Sequence, residues 1–527
     1  MGVFQRCPGY RREVVSHTNP LSASPKNLCD ICAEVVEIDA EMARTRKLLV
    51  DLVKRRAAVK SRRPNQLHDP LSCIPFEIAS QIFVCYTDGQ RGASYSDWSP
   101  SLFLASISRG WRQIAFGTPE LWTSIDVQIY SLSKIPRQVE ILNRYLPRTG
   151  ERLLDIFLHA KPNLGLPEDS EIQVAHLFDP IRKCAARWQK LSLHIPPRWY
   201  PTLVGDLSHA PALANIQFKQ FGDEEDRDEF HLPETPSLAI LNFSGLLLRQ
   251  VQVQLDWLTT FDGDAMSMDE IFEILRRAKR LLECSFSPLL DHFGDYPTPV
   301  TPIVHASLRK LLVGTSEEST DESLEEFFDS IQLPSLDYFY VDSSDSTEIL
   351  SVPHCGFHSL FSRSQCSLTR FSVCSDMFNG LEILSVLENL PTVTELYLEG
   401  RNMIRTSVLK RLGERTSLED GTSPYRILPN RKRLSFKGKR KFQWGCLLDL
   451  FYPDWKAAMD IVPSASISTK KFSFDLCLYR MKEYDHDYID ADVLPYFARL
   501  QNEQVLEIKS YDHKDLIRAS LERSSSS

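Results

Sequence analysis

The sequence predicts an α+β chain in which helices come first and an α/β array of short repeated strands follows. Three observations carry that expectation. Residues 29 to 62 hold a heptad seam, residues 71 to 122 hold two amphipathic helical patterns, and an apolar triplet recurs from residue 153 onward. At 527 residues, with 43% hydrophobic and 25% charged residues, the chain is long enough for more than one packed unit and has the composition of folded protein.

Residues 1–28 contain no apolar run and are expected to be disordered. No stretch approaches the roughly 20 apolar residues that span a bilayer, so no membrane partner is expected. A net charge of -9 argues against nucleic acid, whose binding rests on a surplus of Lys and Arg facing phosphates. Twelve cysteines without regular spacing point to reduced thiols in the cytosol or nucleus. A protein partner is the remaining default.

Residues 29–63 have no Gly or Pro and place Val35, Ile38, Met42, Thr45, Leu49, Leu52, Arg56 and Val59 at alternating steps of three and four. That is an a/d seam, weakened by Thr45 and Arg56. Two readings stand open: self-association, or a helix lying on the protein's own next domain. Pro64 ends the pattern.

Residues 64–125 form the next unit. Leu71, Ile74, Pro75, Ile78 and Ile82 suit the first turns of a short helix, with Pro75 where a helix start tolerates it. A polar loop from Thr87 to Ser101 follows, then a second pattern through Leu102, Leu104, Ile107, Trp111 and Ile114 until Thr118-Pro119 breaks it. The LSCIPFEI opening, the SRGWR centre and the TPELW close resemble the F-box, in particular the F-box-like domains abundant in mushroom-forming fungi. Ser108 departs from the cysteine common there. The resemblance implies an apolar surface that docks on the Skp-type adaptor of a ubiquitin ligase and through it on a cullin. Carried over by position, the adaptor-facing residues are Leu71, Ile74, Pro75, Ile78, Ile82, Ile107 and Trp111. The other reading makes them core residues of a helical cap, and Trp111 is expected to be buried either way.

Residues 126–515 repeat large apolar residues at positions 1, 4 and 6. Members are Leu153-Ile156-Leu158, Trp188-Leu191-Leu193, Leu213-Ile216-Phe218, Leu238-Leu241-Phe243, Leu281-Cys284-Phe286, Leu308-Leu311-Val313, Leu336-Phe339-Val341, Leu368-Phe371-Val373 and Val393-Leu396-Leu398. A last member keeps Leu434 and Phe436 but has Arg431 first, and the 43-residue gap after Leu238 leaves room for a degenerate unit around Leu255 and Leu258. Amphipathic stretches at 269–281, 323–331 and 380–390 precede three of the strands. Helix followed by short strand is the unit of a leucine-rich-repeat solenoid, which folds because stacking buries faces too small to fold alone. Residues 516–527 are expected to be a disordered tail.

No phosphate loop, nucleophile elbow or metalloprotease helix is present, and neither an enzyme activity nor a cofactor is expected. Cys29 and Cys32 have dithiol spacing without a second ligand pair; His354, Cys355, His358, Cys366 and Cys374 have ligand types but lie in an irregular loop and a strand. Asp485, Asp487, Asp490 and Asp492 lack the glycine and glutamate of a calcium loop. The acidic run from Asp223 to Glu229 reads as a solvated loop. Arg431, Lys432, Arg433, Lys437, Lys439, Arg440 and Lys441 read as the outer side of an ordinary strand or as a nuclear-localisation signal.

The expected function is therefore recognition of an unknown target protein for a Skp/cullin/F-box ligase, the alternative being a non-catalytic repeat scaffold without a ligase. Residues flanking the second apolar position of each triplet point away from the core. Tyr338 and Tyr340, Arg370 and Ser372, and Glu395 and Tyr397 should thus converge on one concave patch and hold the target, since Tyr and Arg dominate binding energy at interfaces.

Overall fold

The computed structural model describes residues 30–62, 70–90, 100–161, 170–204, 208–221, 229–315, 321–343, 354–376, 380–401, 403–416, 424–451, 472–479, 488–510 and 512–524. Residues 1–29, Asp485, Asp487 and the acidic run up to residue 228 lie outside them.

The seam-bearing segment is one helix, Asp30–Arg62. Every residue from 33 to 59 is exposed. Among the described residues nothing buries this helix.

A 3-10 turn, Pro70–Cys73, leads into the helix Phe76–Gln90, followed by the helices Pro100–Ile107 and Arg109–Phe116 and the 3-10 turn Pro119–Trp122. Leu71, Ile74 and Pro75 thus precede the first helix rather than lie on it. The Pro75 carbonyl accepts the Ala79 N–H at 3.1 Å, closing the first turn. The helix also runs past Thr87, whose hydroxyl donates back to the Val84 carbonyl at 2.9 Å, so residues 87–90 of the expected loop are helical, while residues 91–99 lie outside the described residues. The single second helix is two. Ser108 leaves helical geometry (φ -150°) and its side chain accepts the Trp111 N–H at 3.1 Å, an N-cap for the helix after it.

The helical unit runs into the array without a linker. Trp122, Ile125 and Val127 are buried at the same 1, 4, 6 spacing, so the array starts with the strand Ser124–Ile129, before residue 126. Among the described residues, fourteen strands follow one another in chain order in a single sheet. They are Ser124–Ile129, Leu154–Ala160, Trp188–His194, Asn215–Phe218, Ile240–Ser244, Thr260–Ser267, Glu283–Leu290, Lys310–Gly314, Tyr338–Ser343, Arg370–Ser375, Glu395–Glu399, Arg433–Gly438, Ser473–Leu478 and Leu506–Ser510. Every neighbouring pair is parallel. This is an α/β solenoid: a strand forms one side of each unit, and helices or turns return the chain. Gly400 (φ +151°) and Gly438 permit the tight stacking of adjacent turns, since a Cβ on Gly438 would meet the Gly400 carbonyl oxygen at 2.2 Å.

The triplets form the core: all three members are buried in the units beginning at Trp188, Leu213, Leu238, Leu281, Leu308, Leu336, Leu368 and Val393. At the first unit Leu153 is exposed and Leu154 takes the inward place, because alternation along the strand selects 154, 156 and 158. The degenerate unit exists, with Leu258 and Phe261 buried and Gly263 in the third position. Two further strands, carrying Phe474 and Leu476, then Leu506 and Ile508, extend the array beyond its last recognised member.

The three anticipated helices are Met268–Arg277, Asp321–Asp329 and Gly380–Leu387. The first starts with a capping box in which the Ser267 N–H donates to Glu270 at 3.1 Å and the Ser267 hydroxyl to the same oxygen at 2.9 Å. Its neighbour Asp269 accepts the N–H groups of Phe293, Asp295 and Tyr296 at 3.1, 2.8 and 3.0 Å, fixing the loop after the next strand. Where an irregular loop was expected, His354–Ser364 is a helix, held by buried Phe357, Leu360 and Phe361 at helical spacing. The expected tail is corrected up to residue 524, residues 525–527 lying outside the described residues. Leu516–Ser524 is a helix with Ile517 buried, and Ser520 accepts the Ile489 N–H at 3.0 Å.

Candidate functional site

Two faces carry the residues singled out from the sequence. On the helical unit, Ile78 and Ile82 stand one turn apart on the helix Phe76–Gln90, 53% and 47% exposed, and Ile107 is 45% exposed on the next helix. Leu71 and Ile74 are half-buried, and Pro75 is exposed. Trp111 is half-buried rather than buried: its ring packs 5.1 Å from that of buried Phe83 while part of it remains open to solvent. Phe103 is also exposed and missing from the expected set, as is Phe76, whose ring lies against Gly117. Phe103 stands four residues before Ile107, which was the available signal; Leu104, assigned to the same pattern, faces the core instead. Beneath the surface Ala79, Phe83, Leu104, Ala105 and Ala115 form the interior. The apolar residues outside are thus surplus to the unit's own packing.

The second face is the outer side of the sheet, where strand register places side chains in lateral rows. One row runs Glu283, Lys310, Tyr338, Arg370, Glu395, Arg433, and the next holds Tyr340, Ser372 and Tyr397. Register sets Tyr338, Arg370 and Glu395 side by side on three neighbouring strands, with Tyr340 and Tyr397 two residues further along. Arg370 stacks over the Tyr338 ring at 4.8 Å, and Lys310 approaches the same ring at 5.8 Å while paired with Glu283 at 3.2 Å. Arg370 and Glu395 are exposed, Tyr338, Tyr340 and Tyr397 are half-buried, and Ser372, between two tyrosines in register, is buried.

The tyrosines are anchored by a third row, Asp342, Cys374, Glu399 and Lys437. The Tyr340 hydroxyl donates to Asp342 at 2.8 Å, Tyr397 donates to Glu399, and Tyr479 donates to Glu399 at 2.6 Å. Burial, then the bond to a carboxylate, pushes all three phenols up, so each remains a protonated donor. Burial also pushes Glu399 up, but Lys437 at 2.6 Å and the two phenols outweigh it and hold the carboxyl below its usual value. The Cys374 thiol is pushed up to about 12 by burial and by Asp342 and Glu399, leaving it a poor nucleophile at neutral pH. Sequence reasoning missed Lys310, Glu399 and Tyr479; the last follows a strand that the apolar pattern does not reveal.

The basic segment divides. Arg431 is buried, lying 3.1 Å from the Tyr425 ring centroid and donating to the Leu412 carbonyl at 3.0 Å. Its place is inward, because the first triplet position points to the core and the aromatic rings of Tyr425 and Phe472 accept a guanidinium there. Arg433 pairs with Asp475 at 2.8 Å and Lys437 with Glu399, while Arg440 stacks on Trp444 at 5.2 Å. Among the described residues no group of three or more His, Cys, Asp and Glu could hold a metal ion, and no helix is long and apolar enough to cross a membrane.

No protein-family model matches the sequence, and no curated protein matches it. The chain is similar to the solved structure of the yeast Rad7 and Elc1 complex, with a TM-score of 0.32 and 13% identity over 76% of this chain and 94% of that one. A likeness at that TM-score carries no argument about family or function.

Proposed function

We propose that this chain is the substrate-recognition subunit of a Skp/cullin/F-box ubiquitin ligase. In this reading residues 71–122 bind the Skp-type adaptor and through it a cullin, and the outer face of the sheet around Tyr338, Arg370 and Tyr397 binds the target protein. The observation that carries it is two pairs of exposed apolar side chains, Ile78 with Ile82 and Phe103 with Ile107, each one turn apart on helices whose own interior is already filled. Such a surplus face suits a helix-in-groove partner, and it adjoins the segments that resemble the F-box, since Ile78 closes LSCIPFEI and Ile107 immediately precedes SRGWR. Ubiquitin transfer then occurs on other subunits, and the contribution of this chain is a raised effective concentration of target lysines near the transferring enzyme.

A pull-down of the tagged full-length chain from a eukaryotic extract tests this. Recovery of the adaptor and cullin, lost on Ile78→Asp together with Trp111→Ala while thermal unfolding shows the array intact, is the expected result. Consistent absence of both subunits from the wild-type fraction would sink the ligase reading and leave the repeat scaffold.

A further inference from the structure

The helix Asp30–Arg62 presents an open seam: Val35, Ile38, Met42, Leu49, Leu52 and Val59 are all about half-exposed or more. Its charges are segregated along its length. From 33 to 43 every charged residue is acidic, namely Glu34, Glu37, Asp39 and Glu41; from 44 to 59 Asp51 is the single acid among Arg44, Arg46, Lys47, Lys54, Arg55 and Arg56.

We propose that a second copy of this chain covers the seam, running antiparallel to the first. Self-pairing head to tail lays the acidic half of each copy on the basic half of the other. The a-against-d register that does so sets Val35 against Val59 of the second copy, Met42 against Leu52, Thr45 against Leu49, and Ile38 against Arg56. It centres on Lys47, next to the helix midpoint at Arg46, so almost the whole 33-residue helix overlaps, a length of about 50 Å. On the flank, Glu41 comes beside Arg55 of the second copy, twice by symmetry.

Both weak seam positions become tolerable in this arrangement. The Thr45 hydroxyl already donates to the Glu41 carbonyl at 2.9 Å, leaving its methyl to pack. Arg56 reaches the half of the partner that carries Glu34, Glu37, Asp39 and Glu41. A parallel pair has neither advantage: Arg56 meets its own copy at an a position, and Glu34 falls beside Asp39.

The arrangement sends the two arrays off from opposite ends of the shared helix pair, which suits a target with two copies of the recognised surface. The inference is independent of the ligase reading.

Sedimentation velocity on the full-length protein provides the test. The wild type is expected to give one species of twice the 60.4 kDa chain mass. Glu41→Arg alone and Arg55→Glu alone each place like charges side by side twice and should weaken self-association about tenfold. Mixed in equal amounts, the two variants restore opposite charges at both flank contacts: one contact joins the two substituted side chains with their signs exchanged, the other joins native Arg55 to native Glu41. The dimer should then return. Both substitutions lie on an exposed helix surface, and an unchanged unfolding midpoint confirms that the array is untouched. A monomer at every concentration, a larger assembly, or a dimer strengthened by Arg55→Glu alone, as parallel pairing requires, would overturn the proposal.

Discussion

The indole N–H of Trp122 donates to the carbonyl of Ala115 at 2.8 Å, and both residues are fully buried. One ring thereby closes the last helix of the helical unit and opens the first strand of the array; Tyr145, on the helix after that strand, packs edge-on against it at 4.8 Å.

Trp122→Ala should therefore destabilise the chain by about 3–5 kcal/mol, through the cavity left by the largest of side chains. Trp122→Phe, which keeps most of the ring but loses the donor, should cost about 1 kcal/mol, because the Ala115 carbonyl loses its shorter bond and keeps the one from the Thr118 N–H at 3.4 Å. Urea unfolding of the two variants beside the wild type reads both numbers. Equal small losses would show that the junction does not depend on this ring.

Replacing Tyr338, Tyr340 and Tyr397 together by Ala should abolish capture of the target in cells and leave adaptor recovery unchanged, as read by quantitative mass spectrometry of the bound fractions. Replacing Tyr340 and Tyr397 by Phe is the sharper companion. It keeps the rings and removes only the bonds to Asp342 and Glu399, so a large loss of capture would mean that hydroxyl placement matters. Undiminished target recovery with the triple variant would count against this face.

Stability should fall on the acid side of neutrality in part through His305. Burial lowers its pKa from 6.5, with Lys279 acting the same way and the bond to the Ala278 carbonyl at 3.0 Å opposing. Below 6.5 the unfolded chain binds a proton that the folded chain resists, so this contribution is full above that pH and is lost as pH falls through the lower folded value. His159 and His194, also lowered by burial, add to the same limb. His305→Gln can still donate to Ala278 and does not titrate. Its urea midpoint should depend less steeply on pH over this window than that of the wild type, and identical slopes would remove His305 from the account.

The repeat pattern was legible because three inward side chains per strand suffice to mark a unit: Leu308, Leu311 and Val313 are all buried, as their spacing implies. It faltered where a position departs from a large apolar residue. Gly263 blurs one unit, and Glu503 three residues ahead of Leu506 hides the last strand. At the other end Trp122, Ile125 and Val127 obey the rule but are masked by the helical pattern that ends on the same tryptophan. The outward direction of Tyr338, Tyr340 and Tyr397 follows from strand alternation alone. Their anchoring does not, because it depends on which residues of neighbouring strands stand side by side, and connections of unequal length carry no record of that register. Ser108 was legible only as a departure, since its value as a cap appears once the helix is seen to break there.

The chain-order ladder of parallel strands also bears on how the protein is made. Each strand in it pairs with the one just completed, so no segment waits for a distant partner before its polar edge is covered. As the chain leaves the ribosome, units can add one by one to a growing end, and the exposed edge at any moment is a single strand. The helix Leu516–Ser524, which follows the strand Leu506–Ser510, brings Ile517 onto that end and covers it. Removal of that helix should therefore leave an open template, which in a cell is a surface for chaperones or for aggregation.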